Sequence, residues 1–261
     1  MMKALVLEQP GRFRLAEVSN PSHPGPGEAL VRVHRVGICG TDLHAFEGRQ
    51  TFFGYPRILG HELAVEVVAL GDTGSPLAVG DHCAVEPYLN CGRCIACRRG
   101  KPNCCVGLRV LGVHMDGGMQ EQLLVPVDKL HRSRSLSLEQ LALVEPLSIG
   151  AHAVWRAGLE PGETVLVIGA GPIGLSVIES LRAAGVEIIV VEISQARIEF
   201  CRKQMRLERC LDGGDDPLPR IQEMLGGELP AAVFDCTGNP RSMAAAFRFV
   251  ANGGKLIFVG H

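Results

Sequence analysis

The sequence lacks long runs of charge of either sign and long apolar segments. Its 26 basic residues stand against 28 acidic residues, so the formal net charge at pH 7 is −2. Without a basic run, neither nucleic acid nor an anionic membrane is an expected partner, and a small molecule is favoured. No apolar run is long enough to span a bilayer. The first ten residues reach Glu8 and Pro10 too early for the core of a signal peptide, so we expect a cytoplasmic protein.

The 261 residues, of which 46% are hydrophobic, can bury two cores. We predict an α/β protein with a β-rich domain at residues 1–157 and a doubly wound parallel sheet at residues 158–261. The first domain reads as strand, turn and loop with little helical periodicity. A helical segment is expected from Ser137, as N-cap, to Leu159, with an interruption at Pro146. The predicted strands of this domain are residues 2–7 and 12–18, which form a hairpin, and residues 29–37, 63–70, 80–87 and 117–126.

The second half alternates apolar strands with helices, which is typical of a parallel sheet covered on both faces. Its predicted strands are residues 163–168, 187–192, 231–235 and 255–259. Its predicted helices are residues 172–184, 195–206 and 241–249.

A glycine-rich turn joins the first of these strands to the helix that follows. It reads Gly169-Ala170-Gly171-Pro172-Ile173-Gly174, and Glu192 ends the next strand 18 residues later. This context is that of a dinucleotide fingerprint, in which Gly169, Gly171 and Gly174 permit the turn, the approach of a pyrophosphate and helix packing. A carboxylate at Glu192 accepts from ribose hydroxyls and repels a 2′-phosphate, which favours NAD over NADP. The alternative is a packing turn with a surface glutamate.

A cysteine cluster in the first half has the spacing of a closed metal site. Cys91, Cys94, Cys97 and Cys105 supply four sulfurs in one glycine- and arginine-rich loop, which suits a tetrahedral structural zinc ion. A disulfide pair is disfavoured by the expected reducing compartment, and the spacing does not match common ferredoxin runs. Cys104 competes with Cys105 for the fourth position, and Cys105 is preferred.

A second donor set is mixed and spread along the chain. Cys39, His61 and Glu62 provide a thiol, an imidazole and a carboxylate, which leaves one position of a zinc ion open for water or substrate. Thr41 and His44 lie close to Cys39 in sequence and are candidates to carry a proton away. Taken singly, each residue also fits an ordinary buried or surface role.

These motifs together resemble the zinc-dependent medium-chain dehydrogenases, nearest the sorbitol, polyol and sugar-acid branch. The resemblance covers nearly the whole chain. It includes residues 37–44, 60–62 and 144–150 besides the cysteine loop and the glycine turn. It implies a GroES-like catalytic domain followed by a Rossmann domain, with the active site in the cleft between them. It also implies one catalytic and one structural zinc ion, NAD as the cofactor and oxidation of a small-molecule alcohol.

The resemblance further implies roles for individual residues. Cys39 and His61 bind the catalytic zinc, Glu62 is the third ligand, and Glu145 binds either the zinc water or the metal, with the choice between the two carboxylates left open. The residues expected near the cofactor are Gly169, Gly171, Pro172, Ile173, Gly174, Glu192, Arg197, Val259 and Gly260.

Two features depart from the family pattern. Ala45 stands where sorbitol enzymes often have a large aromatic residue, so the substrate pocket is expected to differ. The sequence ends at His261, where the family continues with a sixth strand and a return segment, so we expect a truncated form of a longer enzyme that is a dimer or tetramer. The alternatives are a simple alcohol or threonine dehydrogenase and a non-catalytic NAD-binding fragment with only a structural zinc.

Overall fold

Alternating apolar residues near the N-terminus form an antiparallel hairpin. The computed structural model describes residues 1–51, 53–72 and 74–260. In it, β1 (Met2–Gln9) pairs with β2 (Arg12–Val18), and Gly11 turns the chain with a φ of 74°. The positive φ suits glycine, which has no Cβ to clash. The predicted hairpin is confirmed.

The hairpin belongs to the first of two compact units, Met1–Glu145. The strands of the main sheet of this unit lie in the order β10 (Leu130–Arg132), β6 (His82–Val85), β5 (Glu62–Leu70), β3 (Glu28–Gly37) and β9 (Gln122–Pro126). Apolar side chains on one face of this sheet form the core of the unit. The remaining elements of the unit are α1 (Gly40–Phe46), β4 (Arg57–Ile58), β7 (Tyr88–Leu89), α2 (Ile95–Arg98), β8 (Arg109–Val110) and α3 (Leu138–Ala142).

Short helices in this unit were not predicted. Helix α1 is one example, and the Asp42 carboxylate stabilises its start by accepting a hydrogen bond from the Cys39 amide at 2.9 Å. A helix of two turns carries too few residues for a 3.6-residue period to be visible in the sequence. The description of the first half as strand, turn and loop is therefore incomplete.

The helical segment after Ser137 was predicted in part. Ser137 is the N-cap of α3, and its hydroxyl accepts from the Gln140 amide at 3.2 Å while the Gln140 side chain accepts from the Ser137 amide at 2.9 Å. Pro146 does not interrupt a helix, because it lies in the first turn of α4 (Val144–Ala157), where a missing amide hydrogen breaks no helical bond. The break falls at Leu143 instead.

The second unit, Pro146–His261, contains a parallel sheet. Its strands lie in the order β13 (Cys210–Asp212), β12 (Glu187–Glu192), β11 (Thr164–Ile168), β14 (Ala232–Asp235) and β15 (Lys255–Phe258). The predicted parallel sheet is confirmed, but β13 and α7 were missed because they are short and lie among polar and turn-forming residues. The units divide near the start of α4, whereas the predicted boundary lies at its end. The elements of this unit after α4 are β11 (Thr164–Ile168), α5 (Pro172–Ala183), β12 (Glu187–Glu192), α6 (Gln195–Lys203), β13 (Cys210–Asp212), α7 (Leu218–Met224), β14 (Ala232–Asp235), α8 (Pro240–Ala246) and β15 (Lys255–Phe258).

Alternate residues of the central strand β11 enter different cores. Val165 and Val167 pack into one apolar cluster, and Leu166 and Ile168 pack into the other. This is why the strand reads as a continuous apolar run. Because β12 and β14 flank β11 on opposite sides, the carboxyl end of β11 is the point where the strand order reverses, which is where open α/β sheets bind ligands.

No helix in residues 1–51, 53–72 and 74–260 is long and apolar enough to cross a membrane.

Phe234 gives a test of the second core. Its side chain is 0% exposed in β14, so Phe234→Ala is expected to cost about 3–5 kcal/mol by creating a cavity. Urea unfolding followed by circular dichroism measures this loss. Phe247→Ala, which removes a ring that is 66% exposed, is the matched control and is expected to change stability far less. Equal losses for the two variants would contradict the assigned core.

Candidate active site

Three candidate metal donors meet where β3 ends and β5 begins. Cys39 directly precedes α1, His61 directly precedes β5, and Glu62 is the first residue of β5. One donor atom from each side chain lies within 4.8 Å of the others. His61 and Glu62 are buried and Cys39 is half-buried. The fold thus brings together the mixed donor set that the sequence suggests.

Gly37 allows this meeting. It pairs with Glu62 across the β3–β5 ladder, and a Cβ at residue 37 would lie 2.0 Å from Glu62 Oε2 and 2.8 Å from Glu62 Cβ. The carboxylate therefore occupies the space that any other side chain at residue 37 would need. This requirement for glycine was not foreseen from the sequence.

The electrostatics of the site favour a bound cation. Burial, with the neighbouring Glu145 and Asp42 carboxylates, raises the pKa of Glu62 to about 7. Burial also raises the pKa of the Cys39 thiol, although hydrogen bonds from the Thr41 amide and hydroxyl oppose that rise. Buried groups of like charge are unfavourable unless a positive charge offsets them.

Two buried polar atoms at this site also lack hydrogen-bond partners. His61 Nδ1 and Asp42 Oδ1 lie 3.8 Å apart, and neither makes a hydrogen bond within the described residues. A thiol, an imidazole and a carboxylate are donors that zinc accepts. The residues present therefore fit a zinc ion.

Glu145 lies near this set but outside the group of mutually close donors. It is buried at the start of α4 and accepts a hydrogen bond from the Tyr88 hydroxyl. Burial and the Glu145 carboxylate raise the pKa of Tyr88, so its hydroxyl remains a donor. The geometry favours Glu62 over Glu145 as the third donor, and this assignment stays a prediction. Tyr88 itself was not singled out from the sequence, where an isolated tyrosine gives no signal.

Thr41 and His44 both lie on α1. Thr41 contacts the Cys39 sulfur through its amide and hydroxyl, whereas His44 is half-buried in the last turn of the helix. The structure therefore places Thr41 directly against a proposed ligand, and His44 within reach of solvent. Their role as a proton relay stays a prediction.

The four cysteines of the predicted structural site lie in one cluster. The sulfurs of Cys91, Cys94, Cys97 and Cys105 are within 4.8 Å of one another. Cys105 is buried and belongs to the cluster, whereas Cys104 is exposed and lies outside it.

Backbone amides support negative charge on these sulfurs. Cys105 Sγ accepts hydrogen bonds from the Cys91 amide at 3.2 Å and the Gly107 amide at 3.4 Å. The Cys97 amide lowers the pKa of Cys94 to about 6, but burial and neighbouring sulfurs raise that of Cys97 to about 11. Four adjacent thiolates require a cation, so the loop fits a closed zinc site.

The glycine-rich turn has the tight geometry that the fingerprint requires. Gly169 has a φ of 89°, and a Cβ on Gly174 would lie 1.9 Å from the Gly169 carbonyl oxygen. Gly171 caps α5, and the atom nearest to its Cβ position within 4 Å is Arg197 Nη1, at 3.7 Å. Pro172 is the first residue of the helix, and Ile173 follows it. The helix N-terminus is therefore open to a phosphate group.

Glu192 is buried beside this turn. Its carboxylate accepts hydrogen bonds from the amides of Ala170 at 2.7 Å, Ile193 at 2.8 Å and Ser194 at 2.9 Å. Arg197 Nη1 lies 3.7 Å from Glu192 Oε2. The carboxylate thus joins the glycine turn to the end of β12, a structural role that sequence spacing does not reveal.

Val259 and Gly260 follow β15. Both amides donate to the Asp235 carbonyl oxygen, at 2.9 Å and 3.3 Å, which holds the segment against the end of β14. A Cβ on Gly260 would lie 2.5 Å from the Gly238 nitrogen. The predicted cofactor residues of this unit therefore lie at the carboxyl ends of its parallel strands.

Comparison with known proteins agrees with both units. Residues 25–135 match the alcohol dehydrogenase GroES-like domain, and residues 172–261 match the zinc-binding dehydrogenase family. The chain is 41% identical over 259 residues to L-galactonate-5-dehydrogenase of Escherichia coli K12, covering 99% of this chain and 76% of that protein. It is 35% identical over 265 residues to sorbitol dehydrogenase of Bacillus subtilis 168, and this match covers 99% of this chain and 75% of that protein.

A solved structure is similarly close. It is the alcohol dehydrogenase RspB from Escherichia coli CFT073, described as short chain and complexed with NADH. The two structures superpose with a TM-score of 0.91 at 32% sequence identity, and the match covers 100% of this chain and 76% of the RspB chain. The fold and the donor sets define an oxidoreductase with a GroES-like domain and a Rossmann domain. The chain belongs to the zinc-dependent medium-chain dehydrogenase family.

The cysteine loop offers a matched pair of variants. Cys105→Ser removes a zinc ligand and is expected to weaken the zinc affinity of the loop at least about tenfold. Loss of a residue that only hydrogen-bonds to a ligand already lowers metal affinity by about that factor. Competition with a chromogenic chelator measures this loss. Cys104→Ser alters the exposed neighbour and is expected to retain zinc as the wild type does. The reverse result would make Cys104 the fourth ligand.

Proposed function

We propose that the chain oxidises a secondary hydroxyl of a polyol or sugar acid with NAD. The observation that carries this proposal is the meeting of Cys39, His61 and Glu62 within 4.8 Å of one another in a member of this family. The names of the relatives, an L-galactonate dehydrogenase and a sorbitol dehydrogenase, support the substrate class. A non-catalytic fragment is disfavoured because the complete mixed donor set is present.

In this proposal, Cys39, His61 and Glu62 hold the catalytic zinc. Cys91, Cys94, Cys97 and Cys105 hold the structural zinc. When bound, the catalytic zinc supplies a Lewis acid that makes a substrate hydroxyl more acidic, and NAD supplies the hydride acceptor.

The surrounding residues orient the zinc ligands and transfer the proton that the substrate releases. Thr41 donates to the Cys39 sulfur and thereby fixes that ligand. Glu145, held by the Tyr88 hydroxyl, presents a buried carboxylate on the substrate side. His44, half-buried at the end of α1, receives the proton released by the substrate and passes it to solvent.

The second unit binds the dinucleotide. The amides after Gly171 receive the pyrophosphate, and the fixed negative charge of Glu192 disfavours a 2′-phosphate. Arg197 lies beside Glu192 and faces the adenosine end. Val259 and Gly260 contribute backbone near the nicotinamide.

We also propose a homo-oligomer, a dimer or tetramer, in the cytoplasm. The family to which the chain belongs is commonly oligomeric, which supports association. The unpaired state of all ten cysteines supports a reducing compartment.

Gly37 provides a test of the catalytic zinc site. In Gly37→Ala the new Cβ displaces the Glu62 carboxylate, so the purified variant is expected to hold one zinc ion fewer per chain than the wild type. Elemental analysis measures zinc, and circular dichroism verifies folding. Gly40→Ala is the matched control, because no atom lies within 4 Å of the added Cβ. A folded Gly37→Ala variant with the full zinc content would contradict the assigned ligands.

A substrate panel tests the reaction. With NAD, sugar acids and polyols are expected to give kcat/KM values at least about tenfold above those for threonine and short alcohols, because a site that hydrogen-bonds several hydroxyls rejects analogues that lack them. NADH formation is the measurement. Cys39→Ser is expected to abolish turnover while NAD binding, followed by protein fluorescence, persists. A preference for threonine or short alcohols would overturn the substrate class.

A further inference from the structure

A third group of metal-type donors lies on the outer face of the main sheet of the first unit. His34, Glu66 and His82 stand on the neighbouring strands β3, β5 and β6. One donor atom from each lies within 4.8 Å of the others. His34 Nε2 is 2.9 Å from Glu66 Oε2, and the two imidazole rings meet edge to face with centroids 5.9 Å apart.

Strand pairing fixes the relative positions of Glu66 and His82. Glu66 is directly opposite His82 in the β5–β6 ladder. The neighbouring residues Val65 and Cys83 point to the other face, where both are 0% exposed in the core. Since side chains alternate along a strand, Glu66 and His82 point away from the core.

The three side chains are accessible from solvent, and the strands that carry them pack against a helix. The side chains of His34 and Glu66 are 28% and 26% exposed, and His82 is exposed. Beside it on the same face, Ala64 and Ala84 pack against Leu141 of α3. A small ion can therefore enter without any movement of the sheet.

We propose that His34, Glu66 and His82 bind a divalent transition-metal ion, such as Zn²⁺ or Ni²⁺. Two imidazoles and one carboxylate are the donors that these ions prefer, and three protein ligands leave the other positions to water. None of these residues belongs to either proposed zinc site. The proposal therefore does not depend on the proposed function.

The local charge is compatible with this site. A hydrogen bond from His34, followed by the Arg32 guanidinium, holds the pKa of Glu66 below its usual range, so the carboxylate is anionic at neutral pH. Arg32 Nη1 lies 3.3 Å from Glu66 Oε2 and competes with a cation. Its side chain is 49% exposed, which lets it turn to solvent when the metal binds.

The ion would connect three strands of one sheet. β3 and β5 continue from this group to Gly37 and Glu62, which pair at the candidate active site. A ligand that binds the folded state alone stabilises it. The role of the metal is therefore to stiffen the sheet that carries Cys39, His61 and Glu62, without contact with the substrate.

Zinc stoichiometry tests the proposal. Protein at pH 7.5 is dialysed to equilibrium against micromolar ZnCl₂, and bound zinc is measured by elemental analysis. The wild type is expected to bind one zinc ion per chain more than the double variant His34→Ala/His82→Ala. This difference is independent of how many ions the other sites hold, so the result does not depend on their assignment.

Two further variants sharpen the test. Glu66→Gln keeps the side-chain size and is expected to weaken this additional binding at least about tenfold, as loss of a ligand should. His131→Ala is the matched control, because His131 also lies beside a carboxylate, with its Nε2 3.4 Å from Glu86 Oε2, but belongs to none of the three donor groups described above. The His131→Ala variant is expected to bind zinc as the wild type does.

A stability measurement completes the test. Excess Zn²⁺ is expected to raise Tm of the zinc-loaded wild type and of His131→Ala, but not of the double variant. Equal zinc binding by the wild type and the folded double variant would overturn the proposal, as would additional binding only at millimolar zinc.

Discussion

The close approach of β3 and β5 at Gly37 and Glu62 is the constraint on which the first unit depends. The Glu62 carboxylate fills the volume that a side chain at residue 37 would occupy. This contact holds the end of β3, and hence Cys39, against the start of β5, and hence His61. One backbone pairing of two strands thus brings the donor set together.

The same electrostatic need appears twice in this unit. Glu62 shares a buried region with Asp42 and Glu145, and the cysteine loop packs four sulfurs together. In both places the protein concentrates groups whose negative charge is unfavourable without a cation. The two sites differ in whether a coordination position of the ion stays open. Four sulfurs fill a tetrahedral ion, whereas Cys39, His61 and Glu62 leave a position open. This contrast separates a site that supports folding from one suited to chemistry.

The sequence predicts best those features that depend on neighbouring residues. The glycine turn and the Ser137 cap are formed by residues a few positions apart, and the four cysteines of the loop all lie within residues 91–105. The features that were missed are contacts between residues far apart in the sequence, or elements of only a few residues. Tyr88 reaches Glu145 across 57 positions, and α1 and β13 are too short to show a period. Pro146 was misplaced because proline disfavours helix interiors but suits the first turn.

Glu192 shows how a residue predicted for binding is also needed for structure. Its carboxylate accepts from three backbone amides, two after β12 and one in the glycine turn, so most of its acceptor capacity is already used within the protein. Under the proposed preference for NAD, discrimination against a 2′-phosphate would rest chiefly on the charge of this carboxylate, which Arg197 Nη1 at 3.7 Å offsets only in part. Replacing Glu192 to change cofactor preference would therefore also release the Ala170 amide and loosen the turn. The proposed role of Glu192 in cofactor choice would therefore be coupled to the geometry of the glycine turn through one side chain.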